Sequence, residues 1–142
     1  MPSPDSVQAA RALARVSRVL ERSSDTLSLA DYRILSTIVE GEARASRLAA
    51  RLALGKPAVS ASVDSLCRRG LLRKAQVEDD QRATALSLTP AGAELFEEVE
   101  ASMAARLELL ADLTPDARGV LGSITQLGAA IETYVAERGV RL

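Results

Sequence analysis

Apolar residues along this chain recur at helical spacing almost from end to end, with one interruption past the middle. From Ser6 to Ser23, Val7, Ala10, Leu13, Ala14, Ser17 and Leu20 share one side, and Arg11, Arg15, Arg18 and Arg22 share the opposite flank. That is the pattern of an amphipathic helix, with residues 1–5 before it as a frayed end. Ser28-Leu29-Ala30-Asp31 has the form of a capping box, Asp31 standing in for the usual Glu. It opens a helix carrying Tyr32, Leu35, Ile38 and Val39, which Gly41 stops. A short helix from Arg44 to Leu52 has Leu48, Ala49 and Leu52 on one face, and Ala53-Leu54-Gly55-Lys56 form a turn. Pro57 starts the next helix, where the first amides lack an internal partner in any case. Val59, Val63, Leu66 and Gly70 then fall at i, i+4, i+7 and i+11, one buried stripe ended by a glycine.

The interruption is the stretch 71–89. Leu71 to Val77 takes an extended pattern, and Thr84-Ala85-Leu86-Ser87-Leu88-Thr89 alternates polar and apolar, the period of a half-buried strand. Glu78-Asp79-Asp80-Gln81-Arg82 between them is polar enough to form a solvated tip. Helix, tight turn, helix and hairpin together make a winged helix-turn-helix, which sets its second helix in a DNA major groove with the hairpin loop beside it.

Thr89-Pro90 is a further start signal, a threonine cap with proline in the first turn. The helix it opens runs to about Leu113, with Leu95, Val99, Met103, Leu107 and Leu110 on one side and Glu94, Glu97, Glu98, Glu100 and Glu108 outside. Thr114-Pro115-Asp116 repeats the signal, and a last helix carries Leu121, Ile124, Leu127, Ala130, Ile131 and Tyr134 before fraying near Gly139. The predicted class is mainly α with a small β-hairpin wing: a winged helix-turn-helix with terminal dimerisation helices. One domain spans 1–142, with the DNA-binding lobe at 28–89 and dimerisation helices at 6–27 and 90–142. The terminal stripes are not needed to close so small a lobe, and they must bury against something. A helix-turn-helix module reads paired half-sites, so the expected cover is a second copy of the chain.

Composition narrows the function. An apolar share of 47% over 142 residues suits one packed core, and with Tyr32, Phe96 and Tyr134 as the only aromatics that core is aliphatic. No apolar run reaches membrane-spanning length and the first residues lack a signal pattern, so a cytoplasmic protein is expected. The absence of histidine removes the commonest catalytic base and metal ligand. No phosphate loop or nucleophile constellation replaces it, so neither an enzyme nor a cofactor is expected. The net charge of −1 conceals an asymmetry: Arg44–Arg82 holds nine basic and four acidic residues, for +5, leaving −6 elsewhere. A basic module in an acidic body is an electrostatic footprint for a polyanion.

Opposite the stripe centred on Val59, the second helix presents Pro57, Ala61, Asp64 and Arg68, flanked by Ser60 and Ser65. The two serines can donate to phosphate or to base edges, and Lys56 sits at the helix start, where free amides also attract anions. Asp64 would repel phosphate and is expected to pair with a nearby arginine such as Arg68. Arg73 and Lys74, at the root of the wing, suit phosphate. Arg82 suits the negative potential of a narrow minor groove, with Asp80 bracing it through a bidentate pair. The DNA-binding candidates are thus Lys56, Ser60, Ala61, Ser65, Arg68, Arg73, Lys74 and Arg82, with Asp80 in support. Arg47, Arg51 and Arg69 read as solvated, and Cys67 as a small core filler.

With these residues in place the chain resembles the MarR family of bacterial transcriptional regulators. The resemblance is carried by Leu48-Ala49-Ala50-Arg51-Leu52, Val59-Ser60, Val63-Asp64-Ser65-Leu66, Arg69-Gly70-Leu71-Leu72, Asp80-Gln81-Arg82 and Leu88-Thr89-Pro90-Ala91-Gly92. It implies a triangular homodimer based on its terminal helices, recognition helices in successive major grooves, and wings in the flanking minor grooves. It implies a repressor on a pseudo-palindromic operator, released by a small aromatic or anionic effector. Many relatives carry a large polar residue where this chain has Ala61 and Ser65, so base reading here leans on smaller groups, on Lys56 and Arg68, or on DNA shape. Two other readings stand beside it: a protein-interaction module with little DNA binding, motivated by the acidic body, and a repressor switched by the Cys67 thiol, motivated by Arg68 and Arg69 next to it.

Overall fold

The computed structural model describes residues 1–52 and 54–138, and of Asp80, Gln81, Arg82 and Arg138 the backbone alone. In chain order the elements are α1 (Pro4–Glu21), α2 (Leu29–Val39), α3 (Ala45–Leu52), α4 (Lys56–Arg68), β1 (Leu72–Val77), β2 (Asp80–Leu88), α5 (Pro90–Asp112) and α6 (Ala117–Arg138). This is the mainly α chain with a β-hairpin wing that the apolar pattern predicts.

The helix ends explain most boundary differences. Helix α1 starts before Ser6 because Ser3 caps it, accepting from the Ser6 amide at 3.1 Å. Ser28 caps α2 as expected, with the Asp31 amide at 3.0 Å. The reciprocal half of that capping box is not what Asp31 does: its carboxylate, one methylene shorter than the usual Glu, pairs with Arg69 at 3.6 Å. Thr89 caps α5 through the Gly92 amide at 3.0 Å. The cap of α6 is Asp116, which accepts from the Gly119 amide at 2.9 Å. Thr114, expected in that role, instead donates to the Ala111 carbonyl at 2.6 Å and closes the end of α5. Helix α4 is entered through Gly55 with no side-chain cap. Gly41 and Gly70 hold φ of 115° and 74° behind α2 and α4, the left-handed conformation that favours glycine.

The hairpin is antiparallel, with Leu72 opposite Leu88 and Gln76 opposite Thr84, and its register shifts between Gln76 and Val77. Strand β2 begins at Asp80, so the backbone of Asp80–Arg82 belongs to the strand and the turn is Glu78-Asp79 alone. The wider polar tip expected from composition is corrected here: the facing strand β1 is exposed from Arg73 to Gln76, and such a ribbon tolerates polar residues. Arg44 does not open α3: it pairs with Ala85, and the Leu86 amide donates to the Ala43 carbonyl at 2.6 Å. The segment before α3 thereby covers one edge of β2.

The core lies within the winged lobe and the first half of α5. Ile34, Leu35 and Ile38 of α2, Leu48 and Ala49 of α3, and Val59, Val63 and Leu66 of α4 meet Leu71, Leu72, Leu86, Phe96 and Val99. Tyr32 stacks on Phe96 with centroids 5.3 Å apart, so both mid-chain aromatics are engaged in packing. Helix α1 contains no buried residue. Leu13, Leu109, Leu113, Leu127, Ile131 and Tyr134 are exposed on α1, α6 and the far end of α5. Among the described residues no helix is long and apolar enough to cross a membrane.

Candidate nucleic-acid interface

Helix α4 is fixed by one stripe. Val59, Val63 and Leu66 are each at most 4% exposed, which turns the opposite side outward by the geometry of the helix. On that side Lys56, Ser60, Ala61, Asp64 and Arg68 are exposed and Ser65 is half-buried. Arg73 and Lys74 are exposed on β1. The side chains of Arg82 and its expected brace Asp80 lie outside the described residues, as does Ala53 of the predicted turn.

The ion pairs sort the basic residues. Asp64 pairs with Lys74, Oδ1 to Nζ at 2.5 Å, and not with Arg68 as its helical spacing suggested. Lys74 is brought across from β1 by the hairpin, and its ammonium reaches the carboxylate more directly than a guanidinium one turn along. Asp64 is held below the usual carboxylate range, chiefly by its hydrogen bond to Lys74. Lys74 is held above its ordinary value chiefly by the same bond. Arg69 is not a solvated arginine: it donates to the Thr26 carbonyl and pairs with Asp31, tying the end of α4 to the start of α2. Arg51 lies between Glu40 at 3.4 Å and Glu132 at 3.3 Å, a link from α3 to α6. Among the described residues, Arg44, Arg47, Lys56, Arg68 and Arg73 have no ion pair, which leaves a band of cations beside α4.

A groove of about 310 Å³ opens between α3, α4 and the hairpin, lined by buried Ala49, Val59 and Val63 and by polar Ser46, Lys56, Ser60, Lys74 and Thr84. It brings Lys56, Ser60 and Lys74 together, while Ser65, Arg68 and Arg73 lie outside it. Ser46 and Thr84 were not singled out from sequence; Ser46, one residue inside a basic helix start, was the available signal. Cys67 is a half-buried free thiol packed against the core. Tyr32 is pushed up to about 12 by burial and by its hydrogen bond to Glu100 at 2.9 Å, which belongs to the packing of α2 on α5.

A sequence model of the MarR family matches residues 25–83. Comparison with curated protein sequences gives no match. Among solved structures, the PcaV transcriptional regulator of Streptomyces coelicolor, crystallised with its natural ligand, is 25% identical with a TM-score of 0.67, over 86% of this chain and 89% of that one. MarR of E. coli in its apo form is 19% identical with a TM-score of 0.76, over 89% and 96%. BpsR of Bordetella bronchiseptica, whose DNA binding is regulated by 6-hydroxynicotinic acid, is 19% identical with a TM-score of 0.70, over 89% and 99%. The last two likenesses speak to fold alone, and that fold, helices flanking a winged lobe, is the one built above. The winged lobe thus matches the MarR family of transcriptional regulators over residues 25–83, and the chain shares the fold of E. coli MarR along most of its length.

Proposed function

We propose that this protein is a homodimeric, sequence-specific DNA-binding repressor acting in the cytoplasm and released by a small aromatic or anionic effector. The observation that carries the reading is the outward face of α4, where Lys56, Ser60, Ala61 and Arg68 stand exposed beside Arg73 of the wing. A helix presented this way enters a major groove, with the serines and Lys56 reaching base edges or phosphate and Arg68 and Arg73 holding backbone phosphate. Arg82 enters the adjacent minor groove in this reading, and Asp80 orients it.

The dimer is supported by the apolar residues left open on α1, α5 and α6, which a second copy would cover while spacing two α4 helices for a pseudo-palindromic operator. The effector is supported by the relatives, one holding its natural ligand and one regulated by 6-hydroxynicotinic acid. In this chain the groove lined by Val59, Val63 and Ser60 has an apolar wall and, at its rim, Lys56 with no ion pair among the described residues, which suits a small carboxylate.

The test is selection of genomic fragments by the purified protein at near-physiological salt, with Arg82→Ala alongside. The expected result is a short palindrome, weakened in the variant. A folded dimer that enriches no site and instead captures another protein would replace this reading by the interaction module.

A further inference from the structure

Asp64 is the one acid in α4, and it stands on the exposed side of the helix among cations. A free carboxylate there would repel phosphate. The structure instead gives it a partner from another element: Lys74 of β1 donates to Asp64 Oδ1 at 2.5 Å. Both side chains remain about half exposed, at 51% and 46%, so the pair lies on the surface that a duplex would approach. The same hydrogen bond is the main cause of the opposite pKa displacements of the two groups. A lysine held this way offers a duplex a neutral pair and not a cation, whereas Lys56, Arg68 and Arg73 nearby have no such partner among the described residues.

Phosphate contacts add affinity without sequence information, and each one steepens the loss of binding with salt. We propose that Asp64 is a specificity-determining residue: as the internal counterion of Lys74 it removes one phosphate contact per recognition helix and so lowers the sequence-independent part of DNA affinity. This rests on the DNA-binding reading above. It gives the carboxylate on the DNA-facing side a function, and it explains how a chain with small Ala61 and Ser65 on that face limits non-specific hold.

The experiment compares the native protein, Asp64→Asn and the double variant Asp64→Asn/Lys74→Gln on a random-sequence duplex over a salt series. Asp64→Asn is expected to bind the duplex more tightly, with a log–log salt slope steeper by about 0.9 per half-site. The double variant is expected to lose that added slope. An unchanged slope in Asp64→Asn, or a gain that survives in the double variant, overturns the counterion role while leaving DNA binding intact. A second measurement needs no DNA: acylation of Lys74 in the free protein, followed by mass spectrometry, is expected to run faster in Asp64→Asn. Equal rates overturn the pair itself. A native protein with no salt-dependent binding to any duplex overturns the DNA-binding reading, and the acylation rates then show separately whether the pair exists.

Discussion

At the scale of single residues, the start of α5 concentrates the constraints. A Cβ on Gly92 would lie 2.0 Å from the Leu71 carbonyl oxygen and 2.9 Å from its carbon, so the first turn of α5 rests directly on backbone leaving α4. Neither side can yield without moving an element. Gly92→Ala is expected to destabilise the fold by about 3 kcal/mol, seen as a lower urea midpoint at constant slope. Thr89 beside it caps the Gly92 amide and donates to the Gly70 carbonyl at 2.5 Å. Thr89→Ala is expected to cost about 1–2 kcal/mol by the same assay. Tyr32 supplies a pH test. Its phenol is raised to about 12 in the folded chain, mainly by burial, against an ordinary 10.0. The folded state therefore keeps a proton that the unfolded chain gives up first. That contribution is complete below pH 10 and is lost as pH rises from there toward 12. Denaturant unfolding across that range is expected to show a steeper decline in native protein than in Tyr32→Phe. The sequence made the Thr89 cap and the Gly41 and Gly70 stops legible because those signals are local. The partners of Asp31, Asp64 and Asp116 were not, because a carboxylate near several donors chooses by geometry that tertiary packing sets.

At the scale of elements, the recognition helix and the wing act as one unit. The stripe Val59, Val63 and Leu66 was visible as periodicity, and burying it fixes the outward face without further information. The wing was harder to bound. Polar residues fit a solvated loop and an exposed ribbon equally well, so the start of β2 at Asp80 is set by its pairing with Val77, and the place of Arg44 by its pairing with Ala85, neither of which is a local signal. The cationic band divides along the same lines. Arg51 and Arg69 look alike in sequence to Arg68 and Arg73, yet the first two are engaged with acids or carbonyls. Arg68→Ala and Arg73→Ala are therefore each expected to make the salt slope of DNA binding shallower by about 0.9 per half-site, with unfolding midpoints near native. The link from Arg51 to Glu132 is exposed on both sides. Glu132→Gln is expected to change stability by under about 1 kcal/mol, which the same unfolding curves would register.

At the scale of the whole molecule, most of the open apolar surface lies away from the core, with Val39 and Leu54 the exposed exceptions in the winged lobe. The buried cluster draws on α2, α3, α4, the hairpin and the first half of α5, and includes no residue of α1 or α6. Leu127 is 54% exposed and Ile131 50% on α6, one turn apart on the same face. Side chains of that size left to water forgo a large part of their burial free energy, about 1.5–3 kcal/mol each when fully covered, and a second copy would recover it. If that is their role, polar replacements should separate assembly from folding. Leu127→Asp/Ile131→Asp is expected to sediment as a monomer while keeping its far-UV spectrum, since nothing in the winged core depends on either side chain. Its hold on a duplex with two half-sites should fall by about a hundredfold or more, because two lobes no longer engage as one ligand. Its affinity for a single half-site should stay near native, because α4 and the wing are intact. A variant that remains dimeric would place the interface elsewhere on α1 or α5. A monomer that loses single-site binding too would mean that α6 supports the winged lobe itself, through the contact of Glu132 with Arg51, and not only the assembly.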